Sequence, residues 1–252
     1  MKILRYELKR IRLGRLFPIM LLCNLIYATI WMGQTGISGT GGTAPFSQWT
    51  YLAYCGAMLP AAILTLLLLQ ANYYSDRQQK ADILPLASPY TAGALMLVRI
   101  AALAVCFLIL FVLEFAFFAV PNVLYFGKIN VLAYPLTGLL HMLPAVILSL
   151  ALGGVLGKLQ NKLIYVLAVL LFALSMIQPA VACDLFGSAF FSEYPLKLPV
   201  GADGEPAFRI VPLWLCTRLL YLATGAVLIA CGVCRYRKPK LDHGEDASPA
   251  NP

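Results

Sequence analysis

The chain has 252 residues, 61% of them hydrophobic and only 12% charged, with a mean hydropathy of +0.81. A soluble domain would be about half apolar and about a quarter charged, so the composition excludes one and marks a membrane protein. The net charge of +8 would suit nucleic acid, but Lys and Arg flank apolar runs instead of forming one basic face, and nucleic acid is not expected as a partner.

Residues 1–15 are cationic and amphipathic. Met1, Leu4, Leu8 and Ile11 recur at helical spacing on one face, with Lys2, Arg5, Lys9 and Arg12 opposite. Such a helix is expected in the headgroup layer, apolar face down. Three uses fit it: a basic leader that orients the next segment, a signal peptide, or an elbow helix leading into the first span. A signal peptide needs a small-residue cleavage site, and Ile30-Trp31-Met32 is a poor one.

Six apolar runs follow, at 16–33, 50–72, 95–118, 131–156, 163–183 and 210–234. Runs of about 20 residues cross a hydrocarbon core of about 30 Å as helices. The alternation of barrel strands is absent, so the spans are read as helices. Between the first two runs, residues 34–49 are uncharged and rich in Gly, Ser and Thr, as in a flexible outer loop. Residues 73–94 are polar. Ser75 suits a helix N-cap, with Asp76 in the first turn, and Pro85 and Pro89 then break that helix. The 157–162 connection is short enough to force the fourth and fifth spans into an antiparallel hairpin. Gly153 and Gly157 form a G-x-x-x-G at its end. The longest outer segment, 184–209, is interrupted by Pro195, Pro199, Gly201, Gly204 and Pro206. The tail, 235–252, is basic and then acidic, and reads as disordered.

Charge sets the orientation. One side of the six-span arrangement holds only Lys128, Lys197, Arg209 and, inside the last span, Arg218. The remaining fifteen of the nineteen Lys and Arg fall on the other side. The positive-inside rule then places both termini in the cytoplasm and 34–49, 121–130 and 184–209 outside.

The polar stretch between the second and third runs is the most distinctive part of the chain. Asp76 opens it, Leu84 and Leu86 follow, then Ser88-Pro89, and Arg99 closes it at the membrane. It resembles the cytoplasmic loop between the second and third spans of type-2 ABC exporter permeases. There an acidic residue leads through Gly-Thr and leucines to Ser/Thr-Pro and ends on Lys or Arg. Two positions depart: Lys80-Ala81 stands where Gly-Thr is usual, and Pro85 is a second proline. The resemblance implies an all-α integral membrane protein in the cell membrane. Residues 1–15 would be an amphipathic elbow helix, 16–234 a permease domain of six transmembrane helices, and 73–94 a coupling segment. It also implies that 184–209 often dips back into the outer leaflet, which Phe186, Phe190 and Phe191 would suit; an ordinary exposed loop is the alternative. The implied partners are ABC ATPase subunits, which would hold ATP and Mg, and a second permease subunit, identical or paralogous. Asp76, Arg77, Lys80, Leu84, Leu86 and Pro89 would then contact the ATPase. The family moves amphiphiles such as peptides, drugs and lipids.

A charged residue inside a span is a functional candidate by default. Glu114 lies 15 residues beyond Arg99 and Arg218 lies 17 residues before Arg235. At 1.5 Å per residue those are depths of about 22 Å and about 25 Å. Similar depth predicts a buried Glu114–Arg218 pair, acting either as a bundle staple or as the lining of a translocation path. His141, between Pro135 and Pro144, is either hydrogen-bonded packing or a relay or ligand. Asn24 bonds either locally or across a dimer interface. No Ser-His-Asp set, paired catalytic carboxylates, H-E-x-x-H or nucleotide-binding G-x-x-x-x-G-K-[ST] occurs, so no cofactor is expected in this chain. The seven cysteines make neither a zinc spacing nor a disulfide framework, and only Cys183 and Cys216 could meet. Two other classes stay open: a membrane scaffold or small secondary carrier without an ATPase, and an intramembrane enzyme using His141 and Glu114.

Overall fold

In the computed structural model, residues 2–75, 92–127, 132–177, 181–201 and 204–234 are described. In hydrocarbon a backbone must satisfy its own N–H and C=O groups, so apolar runs fold as helices. In chain order these are α1 (Lys2–Leu13), α2 (Leu16–Trp31) with a π-helical turn at Met32–Gly36, α3 (Gln48–Tyr73), α4 (Ala92–Phe126), α5 (Ala133–Leu159), α6 (Asn161–Leu174), α7 (Ser188–Glu193) with a 3-10 turn at Tyr194–Lys197, and α8 (Pro212–Cys234). No strand occurs among the described residues. Among the described residues, five helices are long and apolar enough to cross a membrane: Leu16–Gly36, Gln48–Tyr73, Gly93–Phe126, Ala133–Leu159 and Pro212–Cys234. The chain is a helical membrane protein.

The sixth expected span, 163–183, differs. Its helix, α6, has 14 residues. At 1.5 Å per residue it is about 21 Å long, short of the roughly 30 Å of a hydrocarbon core. It stops where the Ser175 hydroxyl turns back to donate to the Phe172 carbonyl at 2.6 Å. The chain then turns at Met176 and Ile177, and Pro179 in the sequence disfavours helix in the residue before it.

Contacts between the helices fix their directions. Tyr51 stacks on Tyr134 at 5.2 Å near the starts of α3 and α5. Near their ends Gln70 Nε2 donates to the Leu150 carbonyl at 2.9 Å, so α3 and α5 run parallel. Gly225 of α8 packs on Ile147 and Leu148, and Lys158 Nζ donates to the Gly232 carbonyl at 2.6 Å, so α8 runs parallel to α5 as well. α4 runs the other way, with Phe118 beside Tyr54 and Arg99 beside Tyr73. For α5 and α8 to be parallel, the chain between them must return to the end from which α5 started. The short helix α6 is the first limb of that return.

α3 is the central helix, buried along almost its whole length. The Ser47 hydroxyl caps it, accepting from the Trp49 amide at 3.2 Å. Against it pack α2, α4, α5 and α6. α2 and α8 leave Ile19, Leu22, Ile26, Leu213, Leu219 and Leu220 exposed, as lipid-facing helices do. The G-x-x-x-G of α5 serves the approach to α3. A Cβ on Gly153 would come within 2.7 Å of Leu67, and one on Gly157 within 2.7 Å of the Tyr74 ring. Gly153→Val is therefore expected to cost about 1–3 kcal/mol by overpacking, read as a lowered midpoint of thermal unfolding in detergent.

α1 packs on the bundle, with Ile11 against the core and Glu7 buried against α4. Tyr6 and Leu13 face outward instead. The linkage is steric and electrostatic at once: a carboxylate on that face has cationic partners on the protein side and none in hydrocarbon.

Candidate functional site

Of the expected site residues, Asp76, Arg77, Lys80, Leu84, Leu86 and Pro89 lie outside the described residues. Their flanks do not. Tyr73 closes α3 and Arg99 lies two turns into α4, and the two meet at one end of the bundle. α1 docks at the same place. Glu7 Oε2 accepts from Arg10 Nη1 at 3.2 Å, and Glu7 Oε1 stands 3.8 Å from Arg99 Nε. The two guanidiniums sit over the Tyr73 ring, at 5.5 Å for Arg10 and 4.9 Å for Arg99. One carboxylate and one aromatic face thus hold two cations, with Glu7 only 2% exposed. The Cys234 end of α8 lies at this end too, since Val233 packs on Gly93.

The opposite end is closed by an aromatic plug. Trp49 contacts Phe191, Tyr194 and Phe208, and its indole donates to the Pro206 carbonyl at 3.2 Å. Glu205 Oε1 accepts from the Ala44 amide at 2.8 Å, and Tyr134 donates to the Phe46 carbonyl. α7 is buried through Ser188, Ala189, Phe190 and Phe191 against α3. The 184–209 segment is therefore packed into this end of the bundle through 186–191 and again at Glu205, Pro206 and Phe208, not held out as an exposed loop.

Arg218 and His141 meet inside this plug. Arg218 is completely buried; its Nη1 donates to the Leu185 carbonyl and its Nη2 to the Asp184 carbonyl, both at 2.7 Å. The Asp184 carboxylate accepts from the amides of Phe186 and Gly187, which folds the loop tightly enough to present those carbonyls. Gly187, at φ +71°, fills the gap between the ring of His141 and the guanidinium of Arg218; a Cβ there would stand 2.8 Å from the ring and 3.0 Å from Nη2. His141 stacks on Trp214 and meets Phe191 edge-on. Its ring lies near the Phe186 backbone, but no hydrogen bond of normal geometry reaches either nitrogen.

Glu114 is elsewhere. It is 5% exposed, within electrostatic reach of Tyr51, Tyr54 and Cys55 on α3, and neither carboxyl oxygen has a hydrogen-bond partner. No Glu114–Arg218 ion pair forms within 4.0 Å; the ion pairs among the described residues are those of Glu7. The expected pairing fails because rise per residue gives depth but not direction around the helix. Arg218 finds its acceptors in a loop that no helical arithmetic places. Asn24 bonds within the chain, donating to the Met20 carbonyl of its own helix at 2.8 Å and to Thr65 Oγ1 on α3 at 2.7 Å. Cys183 and Cys216 are free thiols.

Glu7, Tyr73 and Asp184 were not among the sequence-level candidates. Glu7 had a signal: it sits at i+3 from Leu4 and i−4 from Ile11, on the apolar face of a cationic helix. Among the described residues no three His, Cys, Asp or Glu gather as a metal site would need. Compared with protein-family models, with curated proteins and with solved structures, the chain matches none. What the geometry offers is mechanical. A polar joint ties α1 to the stems of the 76–91 segment at one end, and a packed plug, tied down by Arg218, closes the other.

Proposed function

We propose that the chain is the permease subunit of an ATP-driven exporter of the type-2 ABC class, moving an amphiphilic substrate out of the cell. The observation that carries this reading is the meeting of α1 with both stems of the 76–91 segment, in a chain whose segment resembles that family's coupling loop. A segment that an ATPase pushes needs stems that pass the motion to the spans. Tyr73 ends the central helix α3 and Arg99 stands two turns into α4. The plug at the other end is where an outward release would have to open. In this reading the joint end faces the cytoplasm, α6 with the chain that follows it completes a sixth crossing, and ATP and Mg are held by separate ATPase subunits beside a second permease subunit.

The test is co-purification with a Walker-type ATPase encoded next to this chain. Leu84→Asp with Leu86→Asp is expected to lose the ATPase and ATP-dependent transport while the spans remain inserted, because apolar docking positions become charged. Normal co-purification and transport in that double variant would sink the coupling role. The buried, unpartnered Glu114 favours one second reading, a small secondary carrier with its own ion-responsive carboxyl. Transport by the chain alone, without any ATPase, would select it.

A further inference from the structure

We propose that Glu114 and the aromatic rings around it bind the cationic group of the substrate, so that this chain selects hydrophobic organic cations. The proposal rests on the exporter reading for the fate of that cation, whereas the binding itself is measurable without any ATPase.

Glu114 is an acidic group that its surroundings leave unanswered. It is the only acidic residue of α4, and α2 and α3 carry no charged residue at all. The basic residue of α4, Arg99, lies 15 positions back, about 22 Å along the helix. The one Lys of α5, Lys158, stands at the joint end, on the Gly232 carbonyl. Arg218 of α8 is engaged by the carbonyls of Asp184 and Leu185 and forms no ion pair with Glu114. Both carboxyl oxygens are buried without a hydrogen-bond partner. A carboxyl held this way is costly, and inside a membrane such groups mark the places where ions and substrates are met.

What lies around Glu114 suits an organic cation. Phe118 follows it by one turn on the same face of α4. That ring is 5.0 Å from Tyr51 and 5.4 Å from Tyr54 on α3. Tyr51 also meets Phe115 at 6.0 Å and stacks on Tyr134 at 5.2 Å. Tyr51 and Tyr54 are both within electrostatic reach of the carboxyl. Ring faces attract a cation through their quadrupole, most strongly where water is excluded, and the carboxyl supplies the counter-charge. A small inorganic ion would instead need a shell of oxygens, and here one carboxyl is set among rings. The rings are packed on one another, so the cation enters as α3 and α4 part.

The experiment uses the full chain in nanodiscs of zwitterionic lipid, with empty nanodiscs as the blank. The probes are tetraphenylphosphonium and tetraphenylborate, which share a shape and differ in the sign of their charge. Equilibrium dialysis reads binding, and the midpoint of thermal unfolding reads stabilisation by what is bound. Tetraphenylphosphonium is expected to bind the wild type and raise its midpoint, and tetraphenylborate to do neither. Glu114→Gln keeps the shape and removes the charge, and is expected to weaken phosphonium binding about ten-fold or more, as loss of one member of a buried charge pair does. E114D keeps the charge and is expected to recover part of that loss. Equal phosphonium binding in wild type and E114Q, or equal binding of the two probes by the wild type, overturns the site. If E114Q does not insert, the comparison of the two probes decides alone. A midpoint that sodium chloride raises in the wild type and not in E114Q, with tetraphenylphosphonium without effect, overturns the proposal in favour of an inorganic-ion site. If the phosphonium binds as expected and no ATPase associates with the chain, the exporter reading falls and the site stands. If an ATPase drives transport by a chain that binds no phosphonium, the site falls and the exporter reading stands.

Discussion

Replacing Arg218 by leucine is expected to free the aromatic plug without unfolding the spans. The guanidinium donates to the carbonyls of Asp184 and Leu185, both at 2.7 Å, and sits over the rings of Trp214 and Tyr221. Charge-assisted hydrogen bonds contribute about 1.5–3 kcal/mol each. Global stability moves less than their sum, because leucine also relieves the desolvation of a buried charge. That relief acts on α8, whereas the lost bonds act on the junction between α8 and the 181–193 segment. Local opening of that segment therefore bears the loss. About 3 kcal/mol corresponds to an opening equilibrium raised by more than about a hundredfold. Ala189, now 7% exposed at the heart of the plug, is the reporter. With Cys183 and Cys216 replaced by serine, A189C should react with a membrane-impermeant thiol reagent far faster in R218L than in its parent. R218K should recover only part of the protection, since an ammonium is a point donor and cannot match two carbonyls as a planar fork does. Equal labelling in R218L and parent would show that the plug is held by its aromatic contacts alone.

The outline of this fold was legible because hydrocarbon leaves few choices. Runs of apolar residues can only be helices there, so five of the six expected spans appear; four lie within three residues of their expected limits, and the third runs on to Phe126, eight residues into what was expected to be loop. The short 157–162 connection dictated the α5–α6 hairpin, and the glycines at its end are where α5 meets α3. Composition could not say that α6 would stop at Leu174, because the residues after it are apolar too; the stop falls where the Ser175 hydroxyl turns back onto the Phe172 carbonyl. The site was legible in its residue types but not in its pairings. Glu114, His141 and Arg218 are all buried, as intramembrane polar groups were expected to be. Which of them meet depends on helix rotation and on a loop held by the Asp184 carboxylate, and neither leaves a periodic trace. Glu7 was visible as a carboxylate on an apolar face, but its partner stands 92 positions on at Arg99.

Replacing Glu114 by leucine is expected to stabilise the protein, the reverse of what a buried Glu114–Arg218 pair would give. In such a pair, removing one member strands the other charge and costs about 3–5 kcal/mol. Here Arg218 has its own acceptors, and both Glu114 oxygens are buried with none of the partners a carboxyl needs. A buried polar group without a hydrogen bond costs about 1–3 kcal/mol, which an apolar side chain of similar size recovers. The neighbourhood suits leucine, since Phe111 and Phe118 line the same helix face one turn to either side and are buried. For a chain of this size 1 kcal/mol moves the unfolding midpoint by about 2–4 °C, so a rise of several degrees in detergent is the expected reading. Glu114→Gln should gain less, because the amide is as poorly served as the carboxyl. The double variant E114L/R218L should equal the sum of its singles, since groups that share no contact add. A coupling between them beyond about 0.5 kcal/mol would show an interaction that this geometry lacks. A lower midpoint in E114L would mean that the carboxyl has a stabilising partner, and the account of it as an unpaid cost would fall. A higher midpoint together with lost transport would mark Glu114 as a group kept for work at the expense of stability, as intramembrane carboxyls are by default.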